Sequence, residues 1–216
     1  AELFNPKSIV MNFLPQKKAV VFAFLILFFF QTSFSQDEQN KWIVGIGVNA
    51  VDFFPTGEPS EFTGNNGVFF SGISNAKEHW NVSAPSINIT RHLKNHFSAD
   101  VSISINNITK VGAFETKSLS YFSVDTSLQY SILENSSKFA PYVFVGGGYT
   151  WINSKGWGTF NAGLGTNYWF SDKFGAKIQG AYKHSGDKDF NVLSHFQYSL
   201  SAILKLNSKR GKFLCN

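Results

Sequence analysis

Cysteine is almost absent: the 216-residue chain has one, Cys215, beside its last residue. A single thiol excludes an intramolecular disulfide and a zinc site built from several thiolates. After residue 35 there is also no apolar run near the roughly 20 residues a spanning helix needs. Nor does that region show the apolar stripe of an amphipathic helix. Charge is scarce and nearly balanced. The formal charge of +5 falls to +3 once Lys7, Lys17, Lys18 and Glu2 of the first 35 residues are set aside. Lys and Arg are nowhere concentrated, which argues against nucleic acid as a partner.

The one long apolar run lies near the start. Lys17 and Lys18 precede Ala19 to Phe30, and Ser33 and Ser35 follow at the −3 and −1 positions of a cut before Gln36. A charged segment, a 12-residue apolar run and small residues make a cleavable signal peptide. The only methionine, Met11, stands where such a signal begins. The expected organisation is an upstream extension (1–10), a signal peptide (11–35), a folded domain (36–206) and a short basic tail (207–216).

Within 36–206 the apolar residues recur at every second position, the period of a strand. Phe196, Tyr198, Leu200, Ala202, Leu204 and Leu206 alternate with Gln197, Ser199, Ser201, Ile203 and Lys205. Phe97 to Asn106 and Phe122 to Ile132 alternate as cleanly. Further strands are expected over Trp42–Val51, His79–His92, Phe139–Ile152, Thr159–Phe170 and Phe174–Lys183. Strand two changes phase near Pro85, where a bulge is expected because proline cannot donate to the ladder. Strand five is ambiguous, since Phe144 and Val145 leave opposite faces. Every second connection (Leu93–His96, Glu134–Lys138, Ser171–Lys173) is short; the others vary, and the first exceeds twenty residues.

A soluble sandwich or lipocalin-like barrel would turn the apolar faces inward and the polar faces to water. Such outer faces carry many Lys and Glu, whereas these are mostly Ser, Gly, Asn and Thr. Small polar residues suit the narrow lumen of an eight-stranded barrel. Aromatic residues gather at strand ends (Trp42, Trp80, Phe97, Tyr121, Tyr142, Trp151, Phe170, Phe174, Tyr182, Phe196), as in the interfacial girdles of membrane barrels. The expected fold is all-β: an eight-stranded antiparallel up-and-down transmembrane β-barrel, preceded by a cleavable signal peptide.

Three stretches, Lys41–Glu58 (KWIVGIGVNAVDFFPTGE), Pro141–Gly156 (PYVFVGGGYTWINSKG) and His195–Leu206 (HFQYSLSAILKL), resemble the transmembrane domain of OmpA-family outer-membrane proteins of Bacteroidetes type. The resemblance covers roughly residues 36–206. It implies a porin-like protein of the Gram-negative cell envelope, in contact with outer-membrane lipid and lipopolysaccharide. Many members continue into a peptidoglycan-binding domain. The residues for that domain are not in this sequence, so peptidoglycan anchoring is not implied.

By strand phase Asp100, Asp125, Lys177, Lys183 and Lys205 face the lumen. Buried charges are costly unless paired, so an ion-pair network plugging the barrel is expected, with a gate as the sharper alternative. His184 and His195 flank Asp187 and Asp189, with Ser185 and Ser194 adjacent, but no signature spacing marks a Ser-His-acid site. The histidines have no metal-ligand spacing, and Gly146–Gly148 lacks the following helix of a phosphate loop. Its expected role is relief of crowding or strand curvature. The connection Asp52–Glu78, with Phe53, Phe54, Phe62, Phe69 and Phe70, is the expected contact surface, either for a partner or packed over the mouth. The expectation is a monomeric, non-catalytic outer-membrane barrel without cofactor, in a structural or surface-interaction role. The alternative is a small low-conductance pore or ligand-binding barrel.

Overall fold

The computed structural model describes residues 42–58, 60–65, 67–73, 75–133 and 138–206. The expected signal peptide with its Ser35/Gln36 cut, the expected 1–10 extension and 207–216 tail, and most of the Glu134–Lys138 turn lie outside them. Eight antiparallel strands close into one barrel in sequence order. They are β1 (Trp42–Asp52), β2 (Asn81–Lys94), β3 (Phe97–Val111), β4 (Phe114–Ser131), β5 (Phe139–Ile152), β6 (Lys155–Trp169), β7 (Phe174–Ser185) and β8 (His195–Leu206). β1 and β8 complete the ring in unbroken register from Trp42↔Leu206 to Asp52↔Phe196. Closure leaves neither strand with an open edge along that register.

The two faces differ as the alternation dictates. Ile46, Ile87, Val101, Leu128, Val145, Leu164, Ile178 and Leu200 point outward and are exposed, whereas Ser86, Asn88, Ser104, Ser123, Asn161 and Ser201 line the buried interior. A soluble protein does not present so continuous an apolar exterior around a polar interior; a barrel in lipid must. β5 resolves in the same way, with Phe144 buried inward and Val145 exposed. Ile203 stays inward and buried, the one aliphatic interruption of the inner face of β8.

β2 carries the bulge expected near Pro85. Gly47 pairs with Ser86 but Asn49 with Ser83, so β2 has one extra residue between these pairs. The strand starts later than expected, because Ala76–His79 forms a helical turn and Asn81 opens the ladder. Two outward connections are also shorter than a surface loop. β3 and β4 run on as a hairpin whose turn is Gly112-Ala113, and β5 joins β6 through Asn153-Ser154. Positive φ at Gly112 (59°) and Asn153 (51°) closes these turns, since Gly and Asn tolerate the left-handed region. A methyl group on Gly112 would also lie 1.9 Å from the Thr63 carbonyl oxygen. Among the described residues, the long connections at this end of the barrel are those of 53–80 and 186–194.

Candidate functional site: a closed lumen and its mouth

Two ion pairs cross the lumen. Lys177 of β7 places Nζ 2.7 Å from Asp100 Oδ1 of β3. In an eight-strand ring these strands stand opposite each other, so the pair spans the barrel. Thr90 donates its hydroxyl to the same carboxylate oxygen. Lys183, fully buried, lies 2.8 Å from Asp125 Oδ1 of β4. Asp125 also accepts from Asn161 Nδ2 (2.8 Å) and Ser123 Oγ (3.1 Å). Both cations thus have a hydrogen-bonded counter-ion, the condition under which charge is tolerated out of water.

Lys205 sits apart from these pairs. Its Nζ lies 3.8 Å from the centre of the Trp169 ring at the turn end of the lumen, a cation–π contact. Arg91 takes the outward phase of β2 and lies over Trp42, 5.1 Å from the ring centre.

Above the ion pairs the network continues through aromatic groups. Lys183 donates to Gln197 Oε1 (3.1 Å) and to Tyr121 OH (3.3 Å). Tyr121 OH lies 2.9 Å from His195 Nε2, and His195 Nδ1 lies 2.9 Å from the Leu193 carbonyl. A carbonyl only accepts, so Nδ1 carries the proton and Nε2 accepts from the tyrosine; this tautomer is assigned from the network. Lower in the lumen Tyr142 donates to Gln179 Oε1 at 2.8 Å. Tyr121 and Tyr142 are buried inside, not placed in the outer girdle. Their strand phase carried that signal: Tyr121 is in step with Ser123 and Asp125, and Tyr142 with Phe144.

The loop end is sealed by carbon. Val51, Phe53, Ile108, Tyr121 and Leu193 form a buried cluster, with Val111, Leu119 and Ile152 against it. Between this plug and the turn end remains a cavity of about 30 Å³, bordered by Asp100, Asp125, Lys177, Lys183, Asn88 and Asn161. That volume admits about two water molecules. The lumen glycines make this density possible. A methyl group on Gly148 would lie 2.0 Å from Asp125 Oδ1, so this position must stay bare for the Asp125–Lys183 pair to form.

The Ser/His/acid residues of the last loop do not assemble into a relay. Ser194 Oγ lies 3.4 Å from His184 Nδ1, but Ser194 is buried and its oxygen also accepts the Ser185 N–H at 3.2 Å. Asp187 is turned to its own loop, accepting from the N–H groups of Asp189, Asn191 and Val192 at 2.9–3.0 Å. His195 faces Tyr121 instead. The aromatics of the first connection scatter: Phe54 stacks on His79 and Phe62 on Phe190 of the last loop. Phe53 joins the plug, while Phe69 and Phe70 meet Tyr182 and Phe196 on the outer wall.

A closed ring of eight alternating strands, apolar outside and charge-paired within, is the fold of the eight-stranded outer-membrane β-barrels. Among solved structures the chain is similar to OprG of Pseudomonas aeruginosa, with a TM-score of 0.52 and 12% identity over 79% of this chain and 98% of that one. It is similar to Neisserial surface protein A, with a TM-score of 0.52 and 11% identity over 80% of this chain and all of that one. The N-terminal β-barrel domain of P. aeruginosa OprF gives a TM-score of 0.50 and 13% identity, covering 79% and 100%. At such identities the likeness is one of fold. The chain matches no protein-family model and no curated protein.

Proposed function

We propose that this chain is exported to the outer membrane of a Gram-negative cell and acts there as a monomeric barrel with a closed lumen. Its role is structural or in surface interaction, without catalysis, with outer-leaflet lipid and lipopolysaccharide as its surroundings. The resemblance to the OmpA-family transmembrane domain of Bacteroidetes type belongs to this proposal, as does cleavage between Ser35 and Gln36. The lumen charges Asp100, Asp125, Lys177 and Lys183 act as the plug, and Lys205 closes the turn end over Trp169. The observation that carries the proposal is the pair of lumen-crossing ion bonds, Lys177–Asp100 and Lys183–Asp125. Conduction would require both cations to leave their partners, and an unpaired charge in so narrow a space is strongly unfavourable. The test is single-channel recording in planar bilayers. A closed plug gives no current steps above the lipid baseline; steady steps from the unaltered chain would replace the plug with a pore.

A further inference from the structure

Phe196 takes the outward phase of β8 together with Leu200, yet it is 6% exposed where Leu200 is 51% exposed. Its cover is the 53–80 connection. Phe69 and Phe70 lie over it with ring centres 5.7 and 5.5 Å away, and Phe69 meets Tyr182 of β7 edge-on at 5.1 Å. Trp80, at the end of the same connection, stacks on Tyr198 of β8 at 4.5 Å. Ala50 and Asp52 share the outward phase of β1 and are buried as well. Part of the connection is therefore a flap laid on the outside of the barrel, at the loop ends of β1, β7 and β8.

The flap is built rather than slack. Phe70 donates its N–H to the Pro55 carbonyl at 2.9 Å, and Asn65 Nδ2 bridges the carbonyls of Phe54 (2.6 Å) and Val68 (2.9 Å). At one tip this frame presents apolar side chains: Val68, Phe69 and Phe70 are consecutive and 57%, 43% and 56% exposed. The Glu58 carboxylate of the same connection turns to the last loop, where it accepts the Ser194 N–H at 3.2 Å. Three adjacent exposed apolar side chains leave hydrocarbon as the matching chemistry.

We propose that Val68, Phe69 and Phe70 form a lipid-docking tip seated on outer-leaflet acyl chains, extending the lipid-facing belt of β7 and β8 beyond the strand ends. The continuity is direct, because the tip rests on Tyr182 and Phe196, which share the outward phase of Ile178 and Leu200. Aromatic side chains favour the boundary between acyl chains and headgroups. The tip holds the 53–80 connection against the membrane on one side of the mouth. This inference rests on the barrel spanning the membrane as proposed.

Site-directed spin labelling in lipid nanodiscs tests it. In a Cys215→Ser background, single cysteines replace Val68 in the tip, Leu200 in the belt and Lys117 in the β3–β4 hairpin. The heat-induced gel shift confirms that each variant is folded. The label at 68 is expected to show oxygen broadening like that at 200, and to lose the broadening by a water-soluble nickel chelate seen at 117. Chelate broadening at 68 equal to that at 117, with 200 still protected, overturns the docking tip and leaves the barrel standing. Chelate access at both 68 and 200 overturns the membrane barrel itself. Phe69→Ser/Phe70→Ser, paired with the label at 68, provides a second check: the protection at 68 should be lost.

Discussion

Lys177 and Asp100 meet across the barrel, Nζ 2.7 Å from Oδ1, although 77 residues separate them in the chain. The contact ties β7 to β3, two strands that share no ladder. Its strength depends on both partners being present.

Removing one partner therefore costs more than removing both. Lys177→Met alone strands the Asp100 carboxylate in the lumen and is expected to destabilise by about 3–5 kcal/mol. Lys177→Met combined with Asp100→Leu should recover much of that loss, because no uncompensated charge remains. Urea unfolding in detergent micelles, read as a double-mutant cycle that includes Asp100→Leu alone, measures the coupling; a double variant that costs the sum of the two single variants would show that the pair contributes nothing.

The outward face makes an opposite demand. Leu200→Arg puts a cation midway along β8 on the lipid side and should cost about 2–4 kcal/mol if that position lies near the bilayer midplane. The same substitution at a water-facing position would fall within about 0.5 kcal/mol of neutral. Refolding titrations into lipid vesicles separate the two cases.

Neighbouring glycines should respond differently to alanine. At Gly148 the added methyl meets Asp125 Oδ1 at 2.0 Å and the Val124 carbonyl oxygen at 2.9 Å, whereas at Gly147 it meets only the Thr159 carbonyl oxygen at 3.5 Å. Gly148→Ala is expected to lose about 1–3 kcal/mol through overpacking, and Gly147→Ala to change stability little. The temperature of the heat-induced gel shift compares them.

The last loop should loosen in acid. Burial opposes ionisation of Asp187, but the N–H groups of Asp189, Val192 and Asn191 together hold its carboxyl below the usual carboxylate range. A depressed folded pKa contributes stability above the unfolded value of about 3.9, and that stability is lost as pH falls through the lower folded value. Asp187→Asn should remove the dependence. Amide exchange of residues 186–194 across this acid range gives the comparison.

Much of this molecule is legible in single strands. Once β8 is seen to alternate, Leu200 and Ser199 must leave opposite faces, and the same parity sends Asp100, Asp125, Lys177, Lys183 and Lys205 inward. Parity also places Tyr121 and Tyr142 inside, against the rule that aromatics near strand ends form girdles. The rule fails there because a girdle residue must share the lipid-facing phase as well as the height. The surface connections were less legible. Sequence alternation over Phe122–Ile132 gives way, before Phe122, to irregular residues, yet β4 begins at Phe114 because a glycine-containing turn lets the hairpin continue above the barrel.

The sequence by itself determined the period-two pattern, hence the class of fold and which side chains enter the lumen; that information is local, carried by each strand's own alternation. Only the tertiary structure decided which charges meet. Ring closure brings β7 opposite β3, pairing Lys177 with Asp100, Lys183 with Asp125 and leaving Lys205 over Trp169. It also decided that Phe53 would plug the mouth while Phe69 and Phe70 lay on the outer wall, because a connection without a repeating period has no parity to say which way it folds.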